Sequence, residues 1–250
     1  CEYGGDKGIF AFGSIPAGGT MYNISNLVSN TGVIQSDGAG VGSLSGYRPG
    51  ATYGGDKGIV AFGTVSGVGP SAISNLISNV GVVQSDTAAV AGATARTNVG
   101  AVEYGGSKDK AIFAFGTSQN VSNKVSNTGV VASDTAGVGS ARSCRQACGY
   151  GEGSGIFAYG GGDGSAVSTI NKVSSAGVIA TDTTGTGTAR YFSGACEYGD
   201  DKGVFGFGAE AYAVGNYLGV TNLVTNVGVI GSDVGAVGTA KAMVGACSFA

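Results

Sequence analysis

Residues 53–63 read YGGDKGIVAFG, and the same phrase opens the chain at 3–13 as YGGDKGIFAFG. Three further copies follow: YGGSKDKAIFAFG at 104–116, YGEGSGIFAYG at 150–160 and YGDDKGVFGFG at 198–208. The tyrosines heading the copies, Tyr3, Tyr53, Tyr104, Tyr150 and Tyr198, lie 50, 51, 46 and 48 residues apart. A fixed period of this length marks a solenoid, a propeller or an array.

Within each copy the core phrase, KGIFAFG in the first, sets aromatic and branched residues between glycines, with neither helix-forming charges nor a cap. That pattern is a buried strand. After a variable loop comes a second apolar segment, ISNLVSNTGVIQSD at 24–37, whose relatives stand at 73–86, 121–134, 170–182 and 220–233. An Asn-x-Gly turn splits it into two β-branched runs, which predicts a hairpin. Ile24, Leu27 and Val28 also fit a helical spacing. Val, Thr, Asn and Ser are poor helix-interior residues, however, and a glycine follows at once.

A glycine-rich turn and a fourth extended stretch, ending at the next tyrosine, complete the unit. Four short antiparallel strands in about 50 residues describe one propeller blade. The expectation is an all-β, five-bladed β-propeller in one domain, with units at 3–52, 53–103, 104–149, 150–197 and 198–250. The C-terminal AKAMVGACSFA repeats the fourth stretch, with Phe249 in the tyrosine's place and Cys247 aligned with Cys1. This strand is expected to close the ring on the first blade and leave no free edge.

Composition narrows the function classes. Glycine supplies 50 of 250 residues, yet 42% of the chain is hydrophobic, which excludes a flexible linker, and no G-X-Y period makes it collagen. Charged residues are 12% and the net charge is −3, so no basic stripe exists to hold nucleic acid. A surface so poor in charge suits an extracellular, cell-surface or virion part better than the cytosol. No apolar run reaches the roughly 18–20 residues of a membrane-spanning helix, and no signal peptide is visible.

Double glycine beside an apolar strand, then a hairpin, an Asp and an Arg before the next unit, resembles the kelch repeat. KGIFAFG is also similar to the apolar-aromatic-glycine strand of regulator-of-chromosome-condensation repeats, and the units resemble glycine-rich repeats of phage and bacterial structural proteins. The kelch pattern expects a tryptophan in its later strands, and this chain has none. The resemblance implies scaffolding or recognition rather than catalysis, although fold alone does not fix function.

Several recurring positions are candidates for a site. Asp37, Asp86, Asp134, Asp182 and Asp233 occupy one place in every unit; the expected role is an Asx turn, the carboxylate accepting N–H groups of the following Thr/Gly segment. Arg142, Arg190 and Lys241 each follow their own aspartate by eight residues, which suggests an Asp–cation pair inside the blade. Arg96 fits after an insertion, while Arg48 is displaced. A ring of five carboxylates along the axis could alternatively attract cations, but the D-x-D spacing of a hard-cation site is absent and no metal or cofactor is expected.

Blade-corner turns are the second candidate, for repeated ligands such as glycans: Tyr3, Asp6, Lys7, Tyr53, Asp56, Lys57, Tyr104, Tyr150, Tyr198, Asp201 and Lys202. Asn23 and Asn120 head N-x-S sequons at the ends of variable loops, where exposure is expected. The loops themselves lie at 14–23, 64–71, 117–120, 160–168 and 209–219; the fifth, with Tyr212 and Tyr217, is the expected protein contact.

Catalysis has little footing. The chain has no histidine, which removes Ser-His-Asp and Cys-His arrangements, and no G-K-[ST] follows its glycine-rich turns. Five cysteines stand at 1, 144, 148, 196 and 247. Residues four apart in a strand lie about 13 Å apart, so Cys144 and Cys148 cannot bond to each other; a partner on a neighbouring strand or burial as small hydrophobes remains open. The sequence therefore points to a non-catalytic structural or recognition propeller with a protein or glycan partner. Two rival readings are a multivalent lectin and a filament subunit whose terminal strand passes to the next copy.

Overall fold

The computed structural model describes residues 1–15, 19–162, 164–211, 215–236 and 238–248. Among these residues the chain is all-β, without a helix. Five antiparallel sheets follow one another, each with a three-stranded part formed by one repeat; the first continues through Ser45–Gly46 to Thr64–Val65 and Gly69–Pro70 of the second repeat as a six-stranded sheet, and Gly161–Gly162 pairs separately with Ser165–Ala166. The first runs Glu2–Tyr3, Lys7–Ser14, Met21–Val28, and the second Gly50–Tyr53, Lys57–Ala61, Ser74–Ile77. The third is Gly100–Tyr104, Lys110–Gly116, Gln119–Val125. The fourth is Ala147–Tyr150, Ser154–Ala158, Ile170–Val173, and the fifth Gly194–Tyr198, Lys202–Gly206, Thr221–Val224.

The stretch ending at each tyrosine is therefore the first strand of the following sheet, paired across the YGGDKG turn, rather than the last strand of its own unit. Tyr53 pairs with Lys57 and Gly50 with Val60, for example. The Asn-x-Gly turns form as expected: Gly32 donates to the Ser29 carbonyl at 2.9 Å with φ +77°, and the chain reverses from Val28 to Ile34. Only glycine adopts that φ without strain.

Beyond this turn the expected further strand is reduced to two isolated bridges per unit, Ile77↔Val83 and Ser74↔Thr87 in the second. A recurring asparagine accounts for the break. Asn75 Nδ2 donates to the Gln84 carbonyl at 3.0 Å, and Asn26, Asn123, Asn171 and Asn222 bond the equivalent carbonyls. Because the side chain occupies an acceptor that a ladder would use, regular pairing stops there.

Core packing lies between the sheets. Four hydrophobic clusters are present, and each spans one junction: Tyr3 and Ile9 with Val60, Ile59 with Phe113, Ile112 with Phe157, and Ile156 with Phe205. Alternation along the second strand explains this, since neighbouring residues point to opposite faces. The isoleucine of each of the first four units meets the following sheet, and Val60, Phe113, Phe157 and Phe205 of the last four meet the preceding one. Ring pairs strengthen three junctions: Phe62–Phe113 is tilted and Phe115–Phe157 and Tyr159–Phe205 are edge-to-face, with centroids 5.4, 5.4 and 5.5 Å apart.

Among the described residues the expected ring closure by a paired strand is not formed. Residues 241–248 form no ladder; Val244 and Ala246 lie against Gly194 of the fifth sheet, and Glu2–Tyr3 holds the edge of the first. Phe249 lies outside the described residues. No helix of the described residues is long and apolar enough to cross a membrane, which says nothing of a β-barrel.

Candidate functional site

The recurring charged residues meet at the junctions, and they do so across units. Arg96 leaves the end of the second unit and enters the third, where its Nε donates to the Phe115 carbonyl at 2.7 Å and its Nη2 to Asn123 Oδ1 at 2.6 Å. Its Nη1 stands 3.8 Å from Asp134 Oδ1, and its guanidinium lies 4.1 Å above the Phe62 ring. Arg190 repeats the arrangement with Asn222, Asp233 and the Tyr159 ring, and displaced Arg48 reaches Asn75 and lies over Phe12. The fourth unit departs from it: Arg142 lies over Phe115 and 3.9 Å from Asp182, but its Nη atoms and Asn171 Oδ1 make no hydrogen bond.

The expected Asp–cation pair inside one blade is thus corrected. Arg142 meets Asp182, not Asp134, and Arg190 meets Asp233, not Asp182. After each aspartate the chain crosses to the next sheet and carries the arginine with it. The Asx-turn expectation also changes partner: Asp86 accepts from the N–H and hydroxyl of Ser43 in the preceding unit, at 3.0 and 2.6 Å. Thr94, Ser140 and Thr188 serve Asp134, Asp182 and Asp233.

Burial alone would raise these four carboxyls, but hydrogen bonds from the hydroxyls, the asparagines and the preceding backbone N–H outweigh it and hold them below their ordinary range. Burial likewise pushes Arg48 and Arg96 down to about 10, which leaves both charged at neutral pH.

An aromatic in the left-handed region makes the cation stack possible. Phe12, Phe62, Phe115, Tyr159 and Phe207 all have φ of 62–63°, and the register shifts beside Phe12 and Phe115. This bulge turns the ring out of the strand's alternation and beneath the incoming cation. The second aromatic of the repeated AFG, AYG or GFG carries the signal; strand alternation by itself does not reveal it.

At the corner turns four of the five tyrosines are withdrawn from the surface. Tyr3, Tyr53, Tyr104 and Tyr150 are buried beneath the glycine turns of the following units, Asn-x-Gly in three and Ser-Ala-Gly in the fourth, where Gly81, Gly129, Gly177 and Gly228 leave room for their rings. Tyr198 alone of the five is exposed, at 37%. Asp6, Asp56 and Asp201 pair with the adjacent Lys7, Lys57 and Lys202. Asn30 and Asn79 bond the first two of these acids. The turns also bind one another: Gly4 N–H donates to the Asp56 carbonyl at 2.7 Å and Gly54 N–H to that of Asp109 at 2.8 Å.

The sequon residues lie in strands rather than at exposed loop ends. Asn23 and Asn120 donate their amides to the Gly42 and Gly139 carbonyls, both at 2.7 Å. Tyr217 is exposed and bridges Ala209; Tyr212 lies outside the described residues.

First strands of distant units bring acids together. Glu103 is half-buried, its Oε1 accepting the Thr52 N–H at 3.1 Å, and Lys108 beside the third sheet pairs with Glu197 of the fifth sheet. Burial first, and then the charges of Glu2 and Glu197, raise the Glu103 carboxyl above its ordinary range. An acid raised in the folded state costs stability when ionised, and that cost disappears as the pH falls and it takes up a proton. Glu103→Gln is therefore expected to raise the urea midpoint at neutral pH and to match the parent at acid pH; an unchanged or lowered neutral midpoint would contradict this.

All five cysteines are free, and burial pushes the Cys144 and Cys148 thiols up, away from thiolate chemistry. Among the described residues no group of three or more acidic or thiol side chains could hold a metal ion. No protein-family model matches the chain, and a comparison with curated proteins finds no match. Fold and junctions together define an all-β repeat protein whose recurring polar residues join successive units.

Proposed function

We propose that the chain is a non-catalytic structural or recognition module of an extracellular, cell-surface or virion assembly, with five kelch-like propeller blades set round an axis. One observation carries the radial arrangement. The Arg145 guanidinium, at the end of the third unit, lies 5.0 Å from the Tyr47 ring of the first and 5.1 Å from the Phe192 ring of the fourth. In a straight stack with sheets about 10 Å apart, units one and four would be about 30 Å distant; their meeting at one guanidinium supports units turned about a common line.

The structural role follows from where the recurring polar groups are spent. Each Arg and Asp of an internal junction, and every such Asn but Asn171, is engaged between blades, which leaves the variable loops to contact a protein partner. A lectin reading loses its support with the burial of four of the five corner tyrosines. Electron microscopy of the native chain tests the proposal: disc-like particles with radial subdivision are expected, and a straight rod would overturn it.

A further inference from the structure

The four internal junctions share a cation over an aromatic ring, and three of them an Arg–Asn bond as well; residues near the two ends of the described chain carry the separated halves of this pattern. At the head, Phe10 is 59% exposed, whereas its equivalents Val60, Phe113, Phe157 and Phe205 are at most 5% exposed. Asn26 donates to Asp37 at 2.8 Å as in the other units, but no arginine enters, and Asp37 is exposed. At the tail, Lys241 lies 4.5 Å above the Phe207 ring, the place Arg190 takes above Tyr159. Thr239 stands two residues before it, as Thr188 stands before Arg190. On the same face Leu223 and Tyr198 are exposed, whereas their counterparts Leu76 and Tyr53 pack beneath the turn of the next unit at Gly129.

The edge strands match as well. In the fifth sheet Gly194 and Ala195 pair with Gly206 and Phe205. In the first sheet Glu2–Tyr3 pairs with Gly8 and Lys7, and no ladder partner stands opposite Phe10 and Ala11 among the described residues on that side. Gly245 and Ala246, within GACSF at the tail, repeat Gly194 and Ala195 of GACEY.

We infer that the tail of one copy docks on the head of a second. In this contact Lys241 enters the Asn26–Asp37 pair, Thr239 bonds Asp37, and Gly245–Ala246 extends the strand edge beside Phe10. The chain's own tail lies against its fifth sheet, with Cys247 within electrostatic reach of the Cys1 amino group, and Phe10 and Asp37 stay exposed. The contact continues the internal junctions in chemistry and in sign of charge, and being heterologous it propagates head to tail. The inference rests on the propeller reading for its geometry and adds the partner.

Light scattering over a dilution series tests it on the full chain. The parent is expected to exceed the mass of one copy as concentration rises, and Asp37→Lys and Lys241→Glu are each expected to remain single copies with unchanged circular dichroism and melting. Mixing the two variants restores opposite charges at every junction and is expected to return the parent's mass. A parent that stays at the 24.2 kDa of one chain at every concentration overturns the inference, all the more if the variants melt lower, since the contact is then internal. Variants that assemble as well as the parent also overturn it. Disc-like single copies would leave the propeller reading intact while removing this one.

Discussion

Arg96→Ala is expected to cost about 3–5 kcal/mol of stability, the range for breaking one side of a buried ion pair. The guanidinium is 1% exposed and supplies donors to Asn123 Oδ1 and to the Phe115 and Thr94 carbonyls, while Asp134 stands 3.8 Å away. Truncation leaves these acceptors buried without a donor and removes a cation from above the Phe62 ring, so the loss exceeds that of a surface pair.

Arg96→Lys should recover only part of this. An ammonium cannot reproduce the planar fork that reaches Asn123 and Phe115 together. Because the residue lies at the junction of the second and third sheets, the array is expected to unfold in two steps rather than one. Urea unfolding followed by circular dichroism measures both effects; a loss under about 1 kcal/mol would mean that the network merely fills space.

Gly153→Ala is expected to lose at least about 2 kcal/mol, combining a left-handed backbone with a collision between units. Gly153 has φ +74°, and a Cβ there would run into the Gly105 carbonyl oxygen of the preceding unit. The displaced backbone would also break the 2.9 Å bond from the Gly105 N–H to the Gly153 carbonyl.

Gly55→Ala is the matched control. Gly55 has φ +79° but nothing within 4 Å of a Cβ, so only the conformational cost of about 1 kcal/mol is expected. Equal losses for the two variants would show that the turn-to-turn contact contributes nothing beyond its φ.

Much of the local structure was legible in the residues. The period, the strand in KGIFAFG and the Asn-x-Gly reversal arise from spacing and from glycine's access to positive φ, which neighbours along the chain decide. The strand ending at each tyrosine was legible too, but not the sheet it joins: YGGDKG is a tight turn, and a tight turn pairs the two strands on either side of it. The asparagine that interrupts the ladder was visible at one place in every repeat, yet its partner was not.

The sequence alone determined that the chain is β throughout and repeats five times, because alternation and turn chemistry are local. Only the tertiary structure decided that each arginine serves the next unit's aspartate, that four corner tyrosines are buried, and that Phe10 and Tyr198 are left uncovered. An eight-residue interval between Asp134 and Arg142 is the same number whether the chain folds back or crosses to a neighbouring sheet. The crossing is set by apolar faces that must be buried between sheets, and that burial exists only once the units are stacked.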